Sequence, residues 1–560
     1  MDKTVVDFAE KRLEEISPQE MSLHLMRLPA KKRLELILQR EDAESVVAAM
    51  AEQDFYVSVK EIGADDSLSL LALASVEQLN HLFDLEWWRK DRIQSARAVD
   101  WLDRLGRASE NKLLEWLYYA DFELLVVLFK QWLRVVMAPD DIDLAELRDQ
   151  LPKNTLDDQY FWETLYPQYE DFFRQFLGVI YEINYDFYKE LMNHIIWALD
   201  VEIEEGAYRF HRGRLEDQVI PDFYDALNIY RSMAPEDVEF GKSVWDSGSS
   251  TPTPSFALAV ISERDLLGRA LQEIKDPLLI NTLKWELASL SNKVIVADQL
   301  SPDNPEALRM AVDKAAAYVN LGLHLLGGDA VEAALSHLRE LFLENLFRLG
   351  HTRVMRLRNR LQSIRQQGWI SRWPNNLNCL DPDWMESAEL LLGKTPRILR
   401  SSDTSQGRRE DFFRNSGDLS KGEHFIDVVE SLGKVFEALA PNPEYLETVL
   451  WEEAQISDLA DVTVGNMLWT AAASFQVQGR WEVEPLSVEL WLELFPLLNA
   501  DKMKQLIRSW IDRYISDPEV SRHLEAYLAP LLMSYEEEMA PFDDAHPPDP
   551  RLVKYFLFKE

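Results

Sequence analysis

The sequence predicts an all-α fold, a multi-domain helical repeat of superhelical or solenoid-like form joined to a helical bundle, and three observations carry this. Glycine is scarce, 20 in 560 residues, against an average usage of about 7%, while Leu, Ala, Glu and Arg, which lose little rotamer freedom in a helix, are plentiful. Apolar residues recur at steps of three and four, the period of a helix with one buried face. Capping residues and prolines punctuate the chain at helix starts. With 47% hydrophobic residues, including 17 Trp, 25 Phe and 18 Tyr, there is material for several cores, and the length fits about three to four domains.

The first segment, 1–152, reads as short helices stacked in a superhelical repeat. Ser17-Pro18-Gln19-Glu20 has the form of a capping box, Leu28-Pro29 opens the next helix and Asp42 caps the one after. Leu34, Val46, Leu70 and Leu82 fall on a twelve-residue beat that Ser58 misses, and Leu102, Leu114 and Val126 repeat the interval. A helix that short cannot bury its stripe alone, so neighbours must stack. Trp88, Trp101, Trp116 and Trp132 are expected between the layers.

The second segment, 153–245, is rich in aromatics. Trp162, Tyr166, Tyr169, Phe173, Phe176, Ile180, Ile183 and Phe187 alternate steps of four and three, which predicts a heptad seam on one long helix from Pro167 to about Glu205. Such a seam closes either inside a bundle or, over 162–187, in a homo-dimer. Residues 246–256 read as a linker, because Asp246-Ser-Gly-Ser-Ser-Thr-Pro-Thr-Pro254 cannot hold a packed element. In 257–370, Tyr318, Leu321, Gly322, Leu325, Ala334 and Leu338 have the spacing of one tetratricopeptide-like hairpin, with Gly327-Gly328 at its corner. Segment 371–535 is helical apart from a loop near Ser401 to Asn415. The 536–560 tail is acidic and proline-rich and ends in Tyr555-Phe556-Leu557-Phe558, an apolar tip that either docks back onto the body or serves as a recognition segment.

Two resemblances bear on these readings. Leu28-Pro29-Ala30-Lys31-Lys32-Arg33-Leu34-Glu35-Leu36 resembles the short-helix superhelical repeats of magnesium-transporter cytosolic domains and flagellar motor-switch proteins. The transporter's membrane spans have no counterpart here, so transport does not carry over. Ala207-Tyr208-Arg209, Arg214-Leu215-Glu216-Asp217, Asp225 to Tyr230, Leu346 to Gly350 and Asp549-Pro550-Arg551 resemble an uncharacterised bacterial family of unknown function and similar length. That likeness implies a full-length family and assigns no activity.

The formal charge of −38 marks an acidic, soluble, bacterial-type protein that repels nucleic acid and anionic membranes on average. Cys379 is the only cysteine, so neither an internal disulfide nor a thiolate metal cluster is available. No apolar run reaches the roughly 18 residues of a membrane span, and the acidic start lacks a signal core, which predicts a cytoplasmic protein.

Local catalytic motifs are missing. The ten histidines come no closer than His324 and His337, which excludes adjacent-ligand zinc motifs. Gly393-Lys394-Thr395 lacks the first glycine of a phosphate loop, where Ala388 stands. Two weaker constellations remain. Asp186, Glu190 and His194 are spaced to line one side of a helix, as two carboxylates and an imidazole would to bind a divalent metal. Such residues more often form a solvated face. Residues 345–380 contain seven Arg and no Asp, Glu or Lys. Arg353, Arg356 and Arg360 share a face there, suited either to internal carboxylates or to an acidic ligand or nucleic-acid backbone. The sequence thus predicts a non-catalytic scaffold that binds other proteins and carries no cofactor, with a metal-binding protein or enzyme and an anion binder as alternatives.

Overall fold

The computed structural model describes residues 18–89, 91–139, 150–242, 252–302, 304–374, 376–401, 408–542 and 546–560. The structure is 69% helical, with 26 α-helices among the described residues, so the all-α class holds. Two compact units divide the chain: Met1–Arg231, Val238–Val319 and Asp329–Phe347 form unit 1, and Ser232–Asp237, Asn320–Gly328 and Arg348–Glu560 form unit 2. The chain on both sides of the 246–256 linker therefore falls in unit 1, and residues 246–251 of that linker lie outside the described residues.

Unit 1 opens with α1 (Pro18–Met26), α2 (Ala30–Gln39), α3 (Ala43–Ala48), α4 (Glu52–Ile62), α5 (Leu68–Leu71), α6 (Val76–Trp87), α7 (Ser95–Ala108), α8 (Glu110–Tyr119) and α9 (Phe122–Trp132). These are the short helices the beat requires, and each packs on neighbours close in sequence, such as α4 on α6 and α7 on α8. Val46, Leu70, Leu82, Leu102 and Val126 are buried, and Leu34 and Leu114 are half-buried. Ser58 is fully buried at the missed beat and accepts a 2.7 Å hydrogen bond from buried Arg33. That guanidinium also donates to the carbonyls of Leu25 (2.9 Å) and Leu28 (3.2 Å) and to Glu61 (3.0 Å). The repeat is broken where a buried cation needs a hydroxyl.

The expected caps turn out differently. Ser17 lies outside the described residues. Asp42 makes no cap, because its carboxylate is held by Arg40 at 2.7 Å. A capping box does start α6, between Ser75 and Gln78.

The single long helix is also corrected. Trp162 lies in a strand, β3 (Tyr160–Thr164), which sits between β1 (Leu133–Met137) and β2 (Asn154–Thr155). Aromatic and β-branched residues suit such a half-buried ribbon. Beyond it the chain makes α10 (Glu170–Ile183), α11 (Tyr185–Trp197) and α12 (Asp200–Asp217). Asn184 breaks the first pair by capping α11, its side-chain oxygen accepting the Phe187 N–H at 3.0 Å. The seam residues Phe173, Phe176 and Ile180 are buried, with Phe129 stacked on Phe176 at 5.7 Å and Trp132 against Phe173 at 5.5 Å. These three side chains pack within unit 1.

The rest of unit 1 comprises α13 (Phe223–Leu227), α14 (Phe256–Val260), α15 (Leu266–Glu273), α16 (Pro277–Ala297), the first part of α17 (Pro305–Gly327), α18 (Val331–Glu340) and the start of α19 (Leu343–Gln367). Helices α13 and α14 pack on α16, and α18 packs on α15. Gly328, which follows α17 and belongs to unit 2, has a φ of +65° that suits glycine. Buried Asp54 reaches from α4 to the start of α14, where it accepts the N–H groups of Ser255 (2.8 Å) and Phe256 (2.7 Å). Burial outweighs those bonds and pushes the Asp54 carboxyl up to about 7.

Unit 2 contains the rest of α19, α20 (Pro382–Leu392), the β4–β5 pair (Ile398–Ser401 and Arg408–Asp411), α21 (Ser416–Leu439), α22 (Pro443–Val449), α23 (Val464–Gln478), α24 (Val488–Leu494), α25 (Ala500–Tyr514) and α26 (Pro518–Met539). Helix α21 packs on α23 and α26, and α25 packs on both as well. The tail docks. Phe556, Leu557 and Phe558 are fully buried, Leu557 N–H donates to Thr470 Oγ1 at 2.9 Å, and the Leu557 carbonyl accepts from Leu486 N–H at 2.9 Å. Phe556 lies 5.0 Å from Trp491.

Candidate ligand cavity

The structure places Asp186, Glu190 and His194 on the exposed side of α11. His194 Nδ1 lies 2.9 Å from the Glu190 carbonyl, and its ring meets Phe122 edge-on at 5.0 Å. Among the described residues no group of three His, Cys, Asp or Glu side chains is arranged to hold a metal ion. In unit 2, Arg353 pairs with Glu423 at 3.1 Å and Arg360 with Asp427 at 2.7 Å, both on α21. Arg358 donates to the carbonyls of Leu392 and Gly393 at 3.1 Å. Arg356 is exposed. Two of the three candidate arginines therefore bind the protein's own carboxylates.

Unit 2 has a cavity of about 580 Å³ beside buried Asp381. The Asp381 carboxylate accepts from Thr463 Oγ1 (2.9 Å), Gly465 N–H (3.2 Å) and the Tyr527 hydroxyl. A Cβ at Gly465 would meet it at 2.5 Å, so glycine is required there. Burial pushes Asp381 up to about 6. Its bonds all go to the protein, where it ties α20, α23 and α26 together.

A cavity of about 950 Å³ lies within unit 1. Its walls come from α4 (Gln53, Tyr56, Val57), α6 (His81, Asp84, Leu85), Trp88, α12 (Tyr208, His211, Leu215), α14 (Phe256) and α16 (Asn292, Ile295, Val296). Most of the wall is apolar, the character of sites for small organic molecules. His81 and Asp84, three apart on α6, share a face with this wall, as do His211 and Arg214 on α12. Three of them meet in space: Arg214 grips both oxygens of Asp84 (Nε–Oδ2 2.7 Å, Nη2–Oδ1 2.8 Å), and His211 Nδ1 lies 3.1 Å from Asp84 Oδ1. The Arg214 and His211 hydrogen bonds outweigh burial and hold the Asp84 carboxyl below its ordinary value. Trp88 lies flat on His211 at 4.4 Å, with an interplanar angle of 11°.

Several polar atoms at this wall have no protein hydrogen-bond partner among the described residues: both ring nitrogens of His81, Trp88 Nε1 and Gln53 Oε1. An orphan polar atom in a protein interior costs about 1–3 kcal/mol, so the cluster is not explained by stability. Two helices end beside it in strained turns. Val219 after α12 has φ 58° and Gln299 after α16 has φ 56°. Ile220 N–H then bonds back to Leu215 and Leu300 N–H to Ile295, both at 2.9 Å. Left-handed backbone at non-glycine residues costs about 1–3 kcal/mol each and here sets Ile220 and Leu300 into the wall.

Burial lowers the His81 imidazole to about 4. Its unfolded value is near 6.5, so the stability gained by keeping it neutral is present above pH 6.5 and is lost as pH falls through 4. Asp54, raised to about 7, has the opposite slope between its unfolded value and 7, so the contribution of His81 is read by difference. His81→Phe is expected to reduce the loss of unfolding free energy between pH 7 and pH 5 by about 2 kcal/mol. Urea titrations of both proteins at the two pH values measure this, and identical pH dependence refutes it.

Sequence reasoning missed this site because its titratable residues come from α6 and α12, far apart in the chain. The only local signals were two pairs at i, i+3. Together fold and cavity describe a helical protein with a half-open, mainly apolar pocket carrying an oriented imidazole. Comparison with known families finds one full-length match: residues 10–559 match a family of unknown function (DUF6178). The chain belongs to that family, and the full-length family expected from Ala207 to Arg551 is found. No match was found among curated proteins or among solved structures. No helix among the described residues is long and apolar enough to cross a membrane.

Proposed function

We propose that this chain is a binding protein whose unit 1 holds a small, largely apolar organic molecule. The observation that carries the proposal is the cavity of about 950 Å³, lined by orphan polar atoms and bounded by two strained turns. Pockets of this size bury most of a small ligand's surface, and a few polar groups orient it. N-phenylnaphthylamine, an uncharged apolar dye, is the probe. It is expected to bind once per chain with enhanced fluorescence. Val296→Trp, which puts an indole into the space, is expected to weaken binding by at least about tenfold with an unchanged melting temperature. Absence of dye binding, or binding indifferent to Val296→Trp, rejects the proposal.

A separate observation favours a second reading, the protein-interaction scaffold expected from the twelve-residue beat, the tetratricopeptide-like hairpin and the lack of local catalytic motifs. Trp197, Leu199 and Val201 follow one another round the α11–α12 corner and are 70%, 65% and 75% exposed. Apolar groups clustered this way mark contact surfaces. A stoichiometric protein that co-purifies with the wild type and not with Trp197→Asp supports this reading, and equal recovery with both removes it. The sole cysteine, Cys379, is buried, and the absence of an internal disulfide supports a cytoplasmic setting.

A further inference from the structure

Resting on the cavity reading above, we propose that the molecule held in unit 1 is an uncharged aromatic compound bearing an O–H or N–H donor, and that His211 Nε2 receives that donor. Asp84 is kept ionised by Arg214, which occupies both of its oxygens, and an ionised carboxylate can only accept. His211 Nδ1 lies 3.1 Å from it, so Nδ1 carries a proton, and in the neutral imidazole Nε2 then presents a bare lone pair. No described residue hydrogen-bonds Nε2, although His211 is 4% exposed and lines the cavity. The ring cannot turn away, because Trp88 covers one face at 4.4 Å while Asp84 holds its edge. The site is therefore a fixed acceptor that seeks a donor.

The remaining wall selects against ions. The charges nearest His211 are paired: Asp84 and Asp121 with Arg214, and Arg212 with Glu216 and Asp222. Arg89 and Asp91 also line the cavity, but both are exposed to solvent. Beside His211 an ionic ligand would lose hydration with no buried countercharge left over to replace it. Tyr56, Trp88, Phe223 and Phe256 contribute aromatic surface, which favours ring against ring over a flexible chain. Trp88 Nε1, which has no partner, gives the same wall a donor for a ring heteroatom.

The test compares β-naphthol with its methyl ether, which share the aromatic body and differ in the O–H. Titrations with full-length protein are expected to show β-naphthol binding at least about tenfold tighter, the value of one satisfied buried hydrogen bond. His211→Phe keeps a ring under Trp88 and leaves Asp84 to Arg214. It is expected to bring the two affinities within about twofold of each other. Equal binding of the two probes by the wild type overturns donor recognition and leaves the cavity reading standing. Failure of both probes to bind overturns the cavity reading. A preference that persists in His211→Phe overturns the assignment of the acceptor. The wild-type comparison decides the ligand class even where the variant does not fold.

Discussion

Phe556→Ala is expected to destabilise unit 2 by about 3–5 kcal/mol, the range for truncating a fully buried aromatic. The ring is wholly buried against Trp491 and Tyr535. Its neighbours Leu557 and Phe558 are held by main-chain bonds to Thr470, Leu486 and Trp451, so the backbone cannot move in to fill the space. Hydrogen exchange reports the change locally. Amides of α23, whose residues 464–474 are buried, should lose protection in the variant, while amides of α4 and α6 keep theirs. Unchanged protection in α23 would show that the docked tail adds little to this core.

Arg33→Met should cost unit 1 about 3–5 kcal/mol, because removing one partner from a buried network leaves the others without compensation. The carbonyls of Leu25 and Leu28 and the hydroxyl of Ser58 would lose their donor. Glu61 would retain Arg309 at 2.7 Å. The less intuitive prediction concerns Ser58→Leu, which completes the twelve-residue beat. It is expected to destabilise by about 3 kcal/mol, through overpacking and the loss of the acceptor for Arg33. Thermal melts of the two variants decide the matter. A Ser58→Leu protein as stable as wild type would mean that the beat alone, and not the buried cation, governs this layer.

The helical class was legible because glycine is scarce and apolar residues recur at helical steps along most of the chain. The Ser58 gap was legible as a gap, but its cause was not, since nothing local marks Arg33 for burial. The long-helix expectation failed at Asn184 and at Ala198-Leu199. Aromatic spacing continued across both corners, while the N-cap signal of Asn184 pointed the other way. Tyr160 to Thr164 carried helical spacing from Trp162 onward, and its strand character depends on pairing with Leu133–Met137, which local pattern does not reveal. For the arginine helix, residue type favoured carboxylate partners, and Glu423 and Asp427 fill that role for Arg353 and Arg360. The ligand cavity was illegible for a different reason. His211 and Asp84 are 127 residues apart, and each alone looks like an ordinary polar position on an amphipathic helix.

The Asp54 clamp has a consequence for the order in which unit 1 is assembled. During synthesis Asp54 emerges 201 residues before Ser255. At about 5–20 residues per second, that gap lasts on the order of 10–40 s. Throughout it, α4 presents a carboxylate without its main-chain donors on a face destined for the interior. A stack of repeats adds stability one layer at a time from its first units. Unit 1 cannot, because an early layer is completed only by a late one. The N-terminal layers are therefore expected to gain full protection only once α14 has been made, and unit 1 to unfold as one cooperative block.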